Sequence, residues 1–348
     1  MSAEHLVHTL RSQGKFCALS GSQMYGDLFE RVAGDVEAGG VFASVLAGHE
    51  DAPSRDAVPL RLLGGLHRLV LEGRAAQLRR WYPSTGGTWD GGSAWPEILD
   101  TAADHADALR EALSQPPQTN EVGRSAALIG GLLHINREFD LPIRLFEIGS
   151  SAGLNLRADH YRYRFTDGQW GPDDSPVTID DAWRGALPPR RELRIVTRRG
   201  YDIAPIDVGE TAGEMTALSY VWPDQSARLA RLRGAIEVAR RVPARLDRRR
   251  AADAVAGLTL SDGALTVLWH SITWQYLSAD ERAAVLTRVD ALAEQAGARS
   301  PFAYLTMEPV RDGPGTPIKF LVRVRSWPDG DPQILGECHP HGPPVNWQ

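Results

Sequence analysis

The chain is poor in cysteine and lysine and has no long apolar run. Only Cys17 and Cys338 occur in 348 residues. Two thiols exclude a disulfide framework and point to a reducing compartment. Lys15 and Lys319 are the only lysines, so nearly all positive charge is arginine. Few side chains are therefore available for Schiff-base chemistry. No apolar stretch approaches the roughly 18 residues of a membrane span. The opening MSAEHLVHTLRSQGKF has an early glutamate and no apolar core, so no secretory signal is expected, and a cytoplasmic location is. Positive charge is also in deficit: 38 basic against 44 acidic residues leave −6, which argues against a broadly basic nucleic-acid face.

With 43% hydrophobic and 24% charged residues, the composition is that of a globular protein and excludes disorder, collagen and coiled coil. The length suits one large or two modest domains. The first 140 residues read as helical. Apolar residues recur at helical spacing over Ala3–Leu10, Met24–Val36 and Val58–Trp81. A further helix is expected from Pro96 to Leu113. Another starts at Asn120, a predicted N-cap with Glu121 in its first turn, and runs to Glu138. His67 and His134 fall on apolar helices and read as core or boundary residues.

At Pro142 the texture changes. Ile143–Ile148 reads as a buried strand, followed by Gly149-Ser150-Ser151-Ala152-Gly153 and a helix start at Leu154. Tyr161–Phe165 alternates with period two, and Asp167-Gly168 signals a hairpin. Strands are expected from Leu193 to Ile203 and at Leu265–Trp269, Ala303–Met307, Phe320–Ser326 and Gln333–Cys338. Helices are expected at Ala227–Arg241 and Ala279–Ala296. This alternation, closed by a hairpin, predicts an α/β fold: an open, mostly parallel sheet with an antiparallel edge. The expected division is 1–140, an all-helical N-terminal region, and 141–348, an α/β domain with a hairpin insertion over about 159–192.

The segment from Glu147 to Gly153 carries the strongest signal, and three readings compete for it. As a nucleotide-type turn, Gly149 supplies the tight turn and Gly153 lets helix and strand pack closely, with free amides at the helix start. As G-x-S-x-G it fits a nucleophile elbow, with Ser151 attacking and His339 or His341 completing a triad. The elbow reading suffers because some 140 helical residues precede it, where a hydrolase has strands and an oxyanion loop. The third reading is a plain tight turn.

Asp202 ends the next strand, where an acid grips ribose hydroxyls in such folds. Its offset of 53 residues from Gly149 requires an insertion, which the segment Tyr161–Trp183 provides. His270 and Glu308 follow the later strands, where active groups of open sheets gather, and each is a candidate proton acceptor. Glu337-Cys338-His339-Pro340-His341 lacks a second ligand pair, so no metal is expected. The arginines at 245, 248, 249 and 250 read as a solvated face.

The stretches Gln118–Arg124 (QTNEVGR), Glu147–Leu156 (EIGSSAGLNL), Gly200–Val208 (GYDIAPIDV) and Val221–Gln225 (VWPDQ) together resemble a bacterial family, domain of unknown function 2332. The spelling E-x-G-x-S-x-G also resembles motif I of class I S-adenosylmethionine-dependent methyltransferases, with Ser151 in place of the usual middle glycine. That resemblance implies a seven-stranded Rossmann-like sheet and S-adenosylmethionine as cofactor. It implies a cofactor site of Asn120, Arg124, Glu147, Gly149, Ser150, Ser151, Gly153, Asp202 and Asp253. Within it Asp253 would take the adenine edge and Arg124 the methionine carboxylate. The expected reaction is methyl transfer to an oxygen or nitrogen of a small molecule, with His270 or Glu308 catalytic. No nucleic-acid or membrane partner is expected. The alternatives are a serine hydrolase using Ser151 and a non-catalytic nucleotide-binding protein.

Overall fold

A computed structural model describes residues 2–313 and 315–348. Contacts divide the chain into two compact units, 1–119 with 210–230, and 120–209 with 231–348. The boundary falls at Asn120 rather than at residue 140, and a later segment joins the helical unit.

The helical unit contains Ser2–Leu19, Gln23–Glu37, Val58–Leu71, Gly91–Asp104 and Ala106–Ser114. The expected helix over Val58–Trp81 stops at Leu71, and Ala76–Arg80 forms a 3₁₀ segment. The expected Pro96–Leu113 helix is two helices that meet at His105, and Pro96 lies inside the first. Ser22 caps the second helix through the Tyr25 amide, as its short hydroxyl permits. Leu28, Phe29, Leu62 and Leu66 are fully buried in this unit's core. His67 is buried too, with Nδ1 on Ser219 O at 3.1 Å and Nε2 on Ser84 Oγ at 2.8 Å.

The second unit is α/β. In chain order its strands are β1 (Ile143–Ile148), β2 (Arg162–Phe165), β3 (Gly168–Trp170), β4 (Thr178–Ile179), β5 (Trp183–Gly185), β6 (Ile195–Asp202), β7 (Arg245–Arg248), β8 (Leu265–Ser271), β9 (Phe302–Val310), β10 (Lys319–Trp327), β11 (Gln333–His339) and β12 (Gly342–Trp347). Among the described residues nine of them form one sheet, in the order β5-β12-β11-β10-β9-β8-β1-β6-β7. The five strands from β7 to β9 run parallel, and β9 to β12 form an antiparallel meander. The sheet has nine strands rather than the expected seven: six were located in the sequence, and β7, β5 and β12 carry no clear apolar alternation. Strand β7 is the arginine-rich segment read as a solvated face, and β12 contains two prolines. The insertion supplies β2, β3 and β4 as a small separate sheet, with the expected turn at Asp167.

The central strands β1 and β8 are buried on both faces, as a sheet covered by helices requires. On one face Phe146, Tyr201, Leu268 and Phe302 pack with Val255, Val285 and Val289 of the helices Ala251–Ala256 and Ala279–Ala293. On the other lies the helix Ser125–Phe139. Its Gly130 and Gly131 let the sheet come close: a methyl group at Gly130 would sit 1.9 Å from the Trp347 ring, and one at Gly131 would sit 2.8 Å from Leu305. Gly130→Ala gains about 1 kcal/mol of helix propensity. Overpacking against Trp347 costs more, so we expect a net loss of about 1–2 kcal/mol in a urea unfolding curve.

Candidate functional site

Strand β1 lies between β6 and β8, and strand order reverses there. The chain returns from β6 and β7 to the other side of β1, so the carboxyl ends of β1 and β8 form the topological switch point, the place where open α/β sheets bind ligands. Gly149, Ser150, Ser151, Asp202, His270 and Glu308 lie at or next to that edge.

After Ile148 the backbone leaves the sheet through three left-handed residues, Gly149 (φ +69°), Ser151 (φ +49°) and Gly153 (φ +65°). Two are glycine, which adopts this region freely; Ser151 adopts it under strain. The loop is held by its own amides. Gly149 N and Ser150 N donate to Tyr201 O at 2.8 and 3.1 Å, and Gly153 N donates to Ser150 O at 2.6 Å. Ser151 N donates to Asp202 Oδ2 at 2.9 Å, and Ala204 N donates to Asp202 Oδ1 at 2.9 Å. The buried Arg157 closes the other side, donating to Gly153 O at 2.8 Å.

The glycines also answer a packing demand. A methyl group at Gly149 would lie 2.3 Å from Thr273 Oγ1, and one at Gly200 would lie 2.4 Å from Ser150 Oγ. The loop therefore interlocks with β6 and with the turn after β8.

Two expectations change at this point. The segment Leu154–His160 is a 3₁₀ helix rather than the start of an α-helix. Asn120 does not cap the helix that follows it; its Oδ1 accepts from Leu154 N at 2.9 Å, while the Glu121 carboxylate receives Gly123 N. Tertiary pairing has overridden the local cap signal. The amide at the start of the 3₁₀ segment thus already has a partner.

Glu147 is 2% exposed, and its Oε2 has no hydrogen bond. Burial pushes its carboxyl up to about 8, and the charge of Asp202 adds to this. The Trp269 indole and the cations Arg124 and Arg157 offset part of the shift. Ser150 is fully buried, and its Oγ also lacks a partner.

His270 and Glu308 are brought together, as their positions at the ends of neighbouring strands suggested. His270 pairs in register with Thr306, so Tyr304 and Glu308 flank it along β9. Glu308 Oε1 lies 2.6 Å from Nδ1, and Tyr304 OH lies 2.6 Å from Nε2. A carboxylate at Nδ1 fixes the proton there, so Tyr304 O–H donates to Nε2. The Trp274 ring stacks on the imidazole at 5.2 Å between centroids. Glu308 Oε1 also accepts from Thr273 N and Trp274 N at 2.9 and 3.3 Å. It clamps the turn in which Ile272 is left-handed (φ +48°), and whose Thr273 meets Gly149. His270 is only 1% exposed, and both ring nitrogens are engaged. Glu308 Oε2 has no partner.

Arg124 donates from Nε to Pro340 O at 3.1 Å and from Nη1 to Ser271 O at 3.5 Å, so it stands at the end of β8. Asp253 is exposed in the first turn of the helix after β7, apart from the loop's hydrogen bonds. His339 and His341 lie at the β11–β12 turn with rings 5.2 Å apart. Among the described residues no group of three His, Cys, Asp or Glu side chains could hold a metal. Tyr304, Trp274, Thr273 and Arg157 were missed. Only Tyr304 had a readable signal, lying two residues along the strand face from Thr306.

The fold and this edge define an α/β protein with a large, mostly parallel sheet and a polar cluster at its carboxyl ends. Residues 7–347 match the family described as "Uncharacterized protein conserved in bacteria (DUF2332)", and the chain belongs to that family. No curated protein and no solved structure matches the chain.

The Glu147 carboxyl gives a pH test. The unfolded chain releases this proton in the ordinary carboxylate range, whereas the folded chain holds it to about 8. Its stabilising contribution is complete below the ordinary range and is lost as pH rises to about 8. Chemical denaturation from pH 5 to 9 should show wild type losing stability relative to Glu147→Gln, by at most about 5 kcal/mol. Parallel curves for the two proteins would contradict the raised value.

Proposed function

We propose that the α/β unit is a methyltransferase that uses S-adenosylmethionine and acts on an oxygen or nitrogen of a small molecule. The observation that carries this reading is the junction of the glycine turn after β1 with Asp202 at the end of β6, beside the switch point where strand order reverses. The order β7-β6-β1-β8-β9 is that of a doubly wound parallel sheet.

The residues suit such a ligand. Gly149 is exposed, so its backbone is open to close approach. Each Asp202 oxygen accepts one amide and keeps a lone pair for a ribose hydroxyl. Arg124 brings a cation to the end of β8 for a carboxylate, and exposed Asp253 offers an acceptor to an adenine amino group. S-Adenosylmethionine supplies an electrophilic methyl on a sulfonium, so the chain's own task is alignment and exclusion of water. Glu308 Oε2, the oxygen without a partner, takes the proton from the nucleophile. His270 and the Thr273 and Trp274 amides hold that carboxylate in place.

The left-handed backbone at Ser151 favours one further reading, a nucleophile elbow. Against it, Ser151 is 5% exposed and no α-helix follows.

Titration calorimetry tests the proposal. The purified chain should bind S-adenosylmethionine or its demethylated product, and Asp202→Asn should weaken binding about tenfold by removing a charged acceptor. No heat with either compound would overturn it. Labelling by a fluorophosphonate probe that disappears in Ser151→Ala would favour the hydrolase.

A further inference from the structure

The helical unit holds a serine and a histidine that the methyltransferase reading leaves unused. His67 lies on the helix Val58–Leu71, and Ser84 lies on the short 3₁₀ turn Pro83–Thr85. Ser84 Oγ stands 2.8 Å from Nε2 of the imidazole, and Ser219 O stands 3.1 Å from Nδ1. Ser219 ends the helix Thr211–Ser219, which belongs to the same unit.

This arrangement sets the protons. A peptide carbonyl can only accept, so in the neutral ring Nδ1 carries the proton and donates to Ser219 O. Nε2 keeps its lone pair, and the Ser84 hydroxyl donates to it. The parts are fixed before any ligand arrives. The Tyr82 ring stacks on the imidazole at 5.6 Å between centroids, and both residues are fully buried. The Ser84 turn is tied down on either side of it. Thr85 Oγ1 donates to Arg79 O at 2.8 Å, and Gly87 N donates to Tyr82 O at 3.0 Å. Gly86 is left-handed (φ +86°), and a methyl group at Gly87 would lie 2.4 Å from Arg80 O. Ser84 itself is only half-buried, so its hydroxyl joins a wholly buried base to the surface of the unit. A nucleophile within hydrogen-bond reach of a base, and a base oriented by a third group, is the arrangement that covalent catalysis needs.

We propose that Ser84 is an activated nucleophile, with His67 as its general base, and that this second site cleaves activated carboxylic esters. Ser84 Oγ attacks the ester carbonyl carbon while its proton passes to His67 Nε2. The imidazolium gives that proton to the departing alkoxide, which leaves as the alcohol, and the acyl group stays on Ser84. Water then attacks the acyl carbon and gives a proton to Nε2. That proton returns to Ser84 Oγ as the carboxylic acid leaves. The sum is ester and water to acid and alcohol, and the Nδ1 proton stays on Ser219 O throughout. A carbonyl in the orienting place carries no full charge, so it stabilises the imidazolium less than a carboxylate does. The site therefore suits esters whose alcohol leaves easily, such as aryl esters. Nothing in this inference rests on the methyltransferase reading.

The test treats the full chain with a fluorophosphonate probe and, separately, with p-nitrophenyl acetate. The proteins are wild type, Ser84→Ala and wild type unfolded in urea, and peptide mass spectrometry locates the adduct. Ser84 is half-buried, so a melting curve should show Ser84→Ala folded. Folded wild type should carry one adduct, on Ser84, that is missing from Ser84→Ala and from the unfolded chain. It should release p-nitrophenol about a hundredfold or more faster than Ser84→Ala, and more slowly in heavy water, as proton transfer to a base requires. No adduct on folded wild type, equal labelling of the unfolded chain, or equal ester cleavage by wild type and Ser84→Ala overturns the site. An adduct on Ser151 instead also overturns it and favours the nucleophile elbow. Binding of S-adenosylmethionine by the chain is a separate readout, so either inference can fail while the other stands.

Discussion

The Asp202 carboxylate is the interaction on which the candidate site depends. One oxygen receives the Ser151 amide and the other the Ala204 amide, so the ends of β1 and β6 are tied by a charged acceptor. Ser151 sits in a left-handed conformation that costs about 1 kcal/mol or more for a residue with a side chain. A charge-assisted bond to its amide is of the size needed to hold it there. That anchoring holds the loop in which Gly149 packs against Thr273, a residue of the turn clamped by Glu308. The two polar groups at this edge, the glycine turn and the His270 pair, are therefore one connected structure.

The main plan was legible in the sequence wherever a single periodic signal dominated. Runs such as Ile143–Ile148 and Leu265–Ser271 are mostly apolar and almost wholly buried because helices cover both faces, and they read as strands. Strand β7 was illegible because Arg245-Leu246-Asp247-Arg248 puts charge on both faces, as an edge strand allows. At the site, the residue types were readable but their commitments were not. Asn120 looked like a helix cap, yet it serves a turn 34 residues later, which no local pattern encodes. His270 looked like a reachable base, yet it lies under Trp274 with both nitrogens engaged. The glycines looked like room for a ligand, and the structure adds a second reason for them, the approach of Thr273 and Ser150.

The same facts order the functional readings. A ligand site requires groups with unused hydrogen-bonding capacity at an exposed edge. Asp202, half-buried with a lone pair left on each oxygen, meets that condition, whereas Glu308 Oε2, Ser150 and Ser151 are buried. Binding at the switch point is thus better supported than nucleophilicity of Ser151.

The two margins of the large sheet have a consequence for how the molecule behaves in a crowd. A sheet of nine strands offers two rows of open backbone groups to any neighbouring chain. Here one margin is β7, charged along its length. The other is β5, three residues long, ending at Gly185, where a side chain would strike Trp347 O. Neither margin offers a flat apolar template, so strand-by-strand accretion into aggregates is obstructed at both ends.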